Sequence, residues 1–316
     1  MTANFQVAAT ELGVTIAGIA LKNPVIAASG TFGYGVEFED IVSLDRLGAF
    51  VVKGLSREPM PGNPPPRIVE TAAGMLNSIG LQNIGARAFV TEKLPQLNKL
   101  KNVVVIANVF GYSQEDYEET IHILNDGPGI AAYELNVSCP NTKCGGLTFG
   151  THPRLLAEVV AATKWVAEKA HRPLIVKLSP NVTSIAEIAR VAEQVGADAV
   201  SLVNTFVAMA IDPETRKPRI SNITAGLSGP AIKPIALRMV WEVARVVKIP
   251  VLGMGGIARV EDVVEFMLAG ASAVEIGTAS FWDPRATEQI VRDLERWCVQ
   301  HRVAGVSELT GGLITG

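Results

Sequence analysis

The sequence predicts an α/β chain folded as a closed barrel, eight parallel strands each followed by a helix, and three observations lead there. Short apolar runs alternate with amphipathic helical stretches almost from end to end, and the runs number eight. The runs are nearly continuous in apolar residues rather than alternating, as strands covered by helices are. A polar residue or a pair of glycines then follows the C-terminal end of each run, the level at which a (β/α)8 barrel carries its chemistry. A doubly wound open sheet is the competing arrangement.

Taken in order, the strands are expected at 24–29, 50–53, 103–109, 133–137, 174–178, 199–204, 251–254 and 273–277. Helices are expected at 38–47, 86–97, 114–124, 153–170, 184–195, 232–247, 261–268 and 284–300. The fourth helix is the clearest, with Leu155, Leu156, Val159, Val160, Thr163, Val166 and Ala167 on one face. Ser184 followed by Glu187 is a capping box for the fifth. Three segments fall outside the repeat. Residues 5–21 alternate around a turn at Leu12-Gly13 and read as a hairpin closing one barrel end. Residues 55–84 contain the run PMPGNPPP (59–66), which fits neither helix nor central strand. Residues 207–230 are rich in turn formers, and both long insertions are expected to be lids or binding loops. One barrel domain, 1–316, accounts for the whole chain.

Composition narrows the function. Hydrophobic residues make up 48% and charged ones 19%, below the ~25% usual for soluble domains, which implies a large buried core. The balance of 28 Lys and Arg against 31 Asp and Glu leaves a charge of −3 without a basic block, so no nucleic-acid partner is expected. The longest uncharged stretch, residues 71–86, is 16 long and holds polar residues and glycines, too short and too polar to span a membrane. No Lys or Arg precedes Lys22, unlike a secretory signal. Three cysteines, Cys139, Cys144 and Cys298, form no disulfide framework and no metal knuckle. A cytoplasmic protein is expected.

At the predicted strand ends stand Ser29 with Gly30, Lys53 with Gly54, Asn108, Asn136, Lys177, Asn204 with Thr205, Gly255 with Gly256, and Gly277 with Thr278. The glycines after the seventh and eighth strands suit a phosphate, the usual place for one in this fold. Lys177 lies inside an apolar strand and reads as a lysine snorkelling at the barrel end, as a Schiff-base amine or as a cation facing a delocalised anion; Lys53 poses the same choice. Cys139, just past the fourth strand and before Pro140, reads either as a structural thiol or as a nucleophile or acid/base group. The stretch from Leu147 to His152, with its glycine and Phe149, is expected to close as a lid. Cys144 and Cys298 carry no expected role.

Five phrases, NSIGLQN (77–83), ELNVSCPN (134–141), KLSP (177–180), GMGG (253–256) and EIGT (275–278), together resemble the dihydroorotate dehydrogenases. Cysteine rather than serine at position 139 is similar to the soluble class. The continuation GGLTFG (145–150) is similar to the branch that works with a separate electron-transfer subunit and NAD+. The resemblance implies an FMN-holding barrel that oxidises dihydroorotate to orotate in pyrimidine biosynthesis. It implies FMN contacts from Ser29, Lys53, Gly54, Asn108, Asn136, Lys177, Val203, Gly229, Gly255, Gly256, Gly277 and Thr278. It implies pyrimidine contacts from Lys53, Asn77, Ser78, Ile79, Gly80, Leu81, Asn136, Asn141, Asn204 and Thr205, with Cys139 as the catalytic base. It further implies a partner subunit bearing FAD and a 2Fe-2S cluster, in a heterotetramer of two chains of each kind. No metal is implied on this chain.

The residue types suit that assignment, because an asparagine amide offers one donor and one acceptor to a ring that alternates N–H and C=O. Three other readings compete. A partner-free, fumarate-linked dihydroorotate dehydrogenase keeps the chemistry and changes the acceptor. A phosphosugar aldolase or isomerase would use Lys177 as Schiff base but leave Cys139 and the asparagines idle. A flavin- or nucleotide-binding scaffold would also leave the cysteine–asparagine loop idle.

Overall fold

The computed structural model describes residues 10–138, 140–141 and 147–315. Eight parallel strands close into a barrel in sequential order: β1 (Val25–Ala27), β2 (Ala49–Val51), β3 (Val105–Val109), β4 (Ile130–Asn136), β5 (Leu174–Lys177), β6 (Ala199–Leu202), β7 (Val251–Met254) and β8 (Ala273–Ile276). The register sets Lys177 beside both Asn136 and Ser201, and Glu275 beside both Met254 and Ile26. Helices cover the outside: α1 (residues 86–97), α2 (Gln114–Asn125), α3 (Pro153–Glu168), α4 (Ile185–Gln194), α5 (Lys233–Ala244), α6 (Val260–Leu268), α7 (Ala279–Trp282) and α8 (Ala286–His301). The apolar face expected for α3 is the face that is buried. Ser184 caps α4, its hydroxyl accepting the Glu187 N–H at 3.3 Å. Among the described residues no helix is long and apolar enough to cross a membrane.

One barrel end is sealed. Val14–Ile16 and Ile19–Leu21 form a hairpin whose Ile16 and Leu21 pack onto Ile26, Val51, Ile106, Ile175 and Leu252 inside the barrel. Its turn lies at Ala17-Gly18 rather than Leu12-Gly13, because both residues adopt the positive φ (50° and 84°) that a two-residue hairpin loop requires. A ligand therefore enters from the opposite, C-terminal end of the strands.

Four local expectations need correction. No α-helix forms over 38–47; the segment makes 3₁₀ turns at Val36–Phe38 and Leu44–Arg46. Its polar groups are engaged elsewhere: Glu37 accepts the Tyr34 N–H, Ser43 donates to Glu288 on α8, and Phe38 stacks on Phe32. α1 widens into a π turn at Phe89–Lys93 ahead of Pro95, which has no N–H to offer the Thr91 carbonyl. The short α7 precedes α8 without a pattern long enough to predict it. Finally, the two long insertions are not independent loops. They pair into one antiparallel sheet, ordered Phe206–Ala208, Ala225–Ser228, Gly74–Asn77, Ile68–Thr71, whose inner strand end carries Asn77.

Candidate active site

The strand ends converge on a cavity of about 300 Å³, at the lower end of the range that holds small molecules. Ser29, Lys53, Gly54, Asn108, Asn136, Lys177, Val203, Asn204, Thr205, Gly255, Gly256, Gly277 and Thr278 all line it. The insertion sheet adds Asn77, and the residues that follow add Ser78, Ile79, Gly80 and Leu81, with Gly229 at the end of the other insertion. Cys139 lies outside the described residues, as do Cys144, Gly145 and Gly146. Asn141 is placed by its backbone, paired with Leu147.

The cavity floor is ionic. Lys177, only 6% exposed, stands between two carboxyls that water hardly reaches, Glu134 and Glu275. Its Nζ lies 3.3 Å from Glu134 Oε1 and 3.7 Å from Glu275 Oε2. Glu134 also accepts hydrogen bonds from Asn108 Nδ2 at 2.6 Å and Ser201 Oγ at 2.8 Å. Burial opposes its charge, yet Lys177 and these donors outweigh burial and hold Glu134 below the ordinary carboxylate value. Burial likewise opposes the charge of Lys177, but the two carboxyls raise its pKa above that of a free lysine. The ammonium is thus fixed, paired and protonated, which suits a cation facing an anion and disfavours the Schiff-base amine. Glu134, Glu275 and Ser201 were not among the residues expected from sequence. For the two glutamates the signal was available: a charged residue inside an apolar strand, two positions before a site residue, shares its inward face.

On the substrate side, Asn136 Oδ1 accepts from Asn204 Nδ2 and from the Ser138 N–H, each at 3.2 Å. Asn204 Nδ2 also donates to Ser138 Oγ at 2.9 Å, and the Tyr117 hydroxyl holds the Asn136 carbonyl at 2.8 Å. These bonds set which amide edge each asparagine presents. Burial, with the positive charge of Arg67 behind it, lowers the Lys53 pKa, and no ion pair to Lys53 forms among the described residues. An anionic ligand group would supply the missing counter-charge.

On the glycine side, the turn after β7 packs tightly against the chain itself. Gly255 and Gly256 have φ of 127° and 79°. A Cβ on Gly256 would lie 2.8 Å from the Gly229 carbonyl oxygen and 3.0 Å from the Lys233 nitrogen, both main chain. Asp262 anchors the loop beyond, accepting the Ala258 and Arg259 N–H groups and binding Lys233 Nζ at 2.7 Å. Gly256→Ala is therefore expected to lower stability by about 1–3 kcal/mol and to weaken ligand binding at this end. Denaturant melts and a ligand titration check it, and an unchanged melting midpoint would refute the strain.

The Leu147–His152 lid needs correction. Phe149 is 2% exposed, edge-on to Tyr117 at 5.4 Å, and the Gly150 N–H donates to Val137 O at 2.7 Å. Moving this end would empty part of the core, so it acts as an anchor.

Comparison with known proteins agrees with this geometry. Residues 11–297 match the sequence profile of the family described as Dihydroorotate dehydrogenase. The chain belongs to the dihydroorotate dehydrogenase family. A Solibacter usitatus relative with the provisional name dihydroorotate dehydrogenase A (fumarate) is 62% identical over 303 residues, 96% of this chain and 98% of the relative. The dihydroorotate dehydrogenase B (NAD(+)) catalytic subunit of Pelobacter propionicus is 55% identical over 303 residues, with the same coverage. That of Geotalea uraniireducens is 54% identical over 305 residues, 96% of this chain and 99% of the relative. Within this chain, the ionic floor, the asparagine wall and the glycine cradle line one cavity.

Proposed function

We propose that this chain oxidises dihydroorotate to orotate on an FMN held in the cavity, as the catalytic subunit of an NAD-linked enzyme. The observation that carries the reading is the convergence of Lys177, the asparagine set and the glycine cradle on one cavity at the open end of the barrel. The fit to FMN rests on the same walls. Around Gly30 and Gly277, which line the cavity, no atom comes closer than 3.6 Å to where a Cβ would stand, which leaves room for a phosphate, and the fixed ammonium of Lys177 suits a ring edge that gains negative charge. Ser29, Lys53, Gly54, Asn108, Asn136, Val203, Gly229, Gly277 and Thr278 would complete the FMN site. FMN, when bound, supplies the hydride acceptor.

Lys53 pairs with the substrate carboxylate, the counter-charge its surroundings lack. Asn77, Asn136, Asn141 and Asn204 read the alternating donors and acceptors of the pyrimidine, with Ser78, Ile79, Gly80, Leu81 and Thr205 closing the pocket around it. Cys139 takes the C5 proton as hydride leaves C6, and Lys177 offsets the negative charge that the site then holds. The insertion sheet over the mouth helps exclude water from this exchange.

The electron acceptor supplies the test. The chain has no Gly-x-Gly-x-x-Gly fingerprint, and its three cysteines are too few for the four that hold an iron–sulfur relay. The purified chain is expected to be yellow and to bleach anaerobically with dihydroorotate. It should turn over with an artificial dye yet reduce NAD+ poorly. A second subunit bearing FAD and a 2Fe-2S cluster, assembled as a two-plus-two heterotetramer, should restore NAD+ reduction. Exposed Val207, Met209, Ile211 and Ile223 on the insertion after β6 support a docking partner on that insertion. Brisk NAD+ reduction by the single chain would refute the partner. The name of the Solibacter relative favours a second reading, and fast turnover with fumarate would establish it instead.

A further inference from the structure

Two carboxyls and one ammonium are sealed together under the cavity, and the proposed chemistry uses only the ammonium. Glu134 receives Asn108 Nδ2, Ser201 Oγ and Lys177 Nζ, whereas neither oxygen of Glu275 receives a hydrogen bond. Glu275 is 1% exposed and also lines the cavity. Among the described residues the charged groups facing it are Glu134 on β4 and Lys177 on β5, while β3 and β6 bring the neutral Asn108 and Ser201. Two ionised carboxylates beside one ammonium would leave a net negative charge in a site water hardly reaches, so one carboxyl keeps its proton. The donors decide which one: charge rests on Glu134 and the proton on Glu275.

We propose that Glu275 is a positioning residue acting through Lys177, its proton leaving that ammonium with a single counter-charge and so free to offset negative charge arising in the cavity. Burial and the charge of Glu134 together hold the Glu275 carboxyl well above the ordinary value, in the same sense. Because the groups are coupled, added negative charge above Lys177 tightens the hold of Glu275 on its proton. The inference rests on reading the cavity as a flavin site. Reduction there adds two electrons and one proton to the bound flavin, a gain of one negative charge. Where Glu275 is ionised beforehand, its carboxylate takes one further proton from solvent, and no other bond changes at Glu275.

The test is a redox titration of the flavin-loaded chain across pH, without dihydroorotate, in a Cys139→Ala background that keeps the thiol proton out of the count. The slope of midpoint potential against pH gives protons taken up per two electrons. With Glu275 present, one proton is expected while its carboxyl stays protonated, rising to two over the pH interval in which it ionises in the oxidised protein. Glu275→Gln, which locks the neutral state, should show one throughout. Equal slopes in the two proteins overturn the role of Glu275. Infrared difference spectra give an independent readout: a buried carboxylic-acid band at neutral pH, lost in Glu275→Gln. Absence of that band from the unsubstituted protein also overturns it. A chain that binds no flavin after reconstitution would instead overturn the flavin reading itself.

Discussion

Replacing Cys139 by alanine is expected to leave flavin bound and to slow its reduction by dihydroorotate by about 10²–10⁴, the usual worth of one general base. The flavin should remain because its proposed contacts come from other strand ends, from Ser29 round to Thr278. The rate should fall because forming the C5–C6 double bond needs a proton acceptor as hydride departs, and Lys53 and Lys177 are cations that accept none. Cys139→Ser should also be impaired, since a hydroxyl is a far weaker acid than a thiol and must find another acceptor for its proton. Stopped-flow reduction under anaerobic conditions reads the effect directly. Reduction of the alanine variant at near-native speed would remove Cys139 from the mechanism.

Lys177→Met should cost roughly 3–5 kcal/mol of stability, because it removes one partner of a buried ion pair and strands the other. Glu134 would keep Asn108 and Ser201 as donors but lose the ammonium that makes its charge tolerable. The pH dependence carries a sign. In the native protein the lowered Glu134 value adds stability above the ordinary carboxylate range, lost as pH falls. The raised Lys177 value adds stability below the ordinary lysine value of 10.5, lost as pH rises through the folded value. Glu275 runs the other way: its raised value favours folding most in acid and less as pH climbs. Without Lys177 both carboxyls hold protons more tightly when folded, so the variant should be most stable in acid. The deficit should therefore open between acidic and neutral pH and shrink again in strong alkali. Urea melts across pH measure it, and a deficit independent of pH would mean that lost packing, not charge, explains the cost.

The barrel was legible because its strands announce themselves locally. Eight apolar runs and eight abrupt changes to polar residues or glycine need only period and composition, and each of the eight strands overlaps one of those runs. The site was legible for the same reason, since a barrel gathers every strand end at one level: Ser29, Asn108 and Thr278, distant in the chain, line the same cavity. Where polar side chains competed for backbone groups, reading failed. Glu288 diverts the Ser43 amide that a helix over 38–47 would have used.

By itself, then, the sequence determined the alternation of strand and helix, the layer of chemistry at the strand ends, and the family, since each is written in local pattern or in short phrases. Only the tertiary structure decided that two loop-like insertions pair as one sheet over the mouth, joining residues as distant as Asn77 and Gly226. Only the tertiary structure decided that Phe149 is an anchor, because burial depends on what Tyr117 brings to it. It also set Glu134, Lys177 and Glu275 in contact from three separate strands. A charge has no fixed meaning along a chain; its protonation follows from the partners and the solvent that folding gives it.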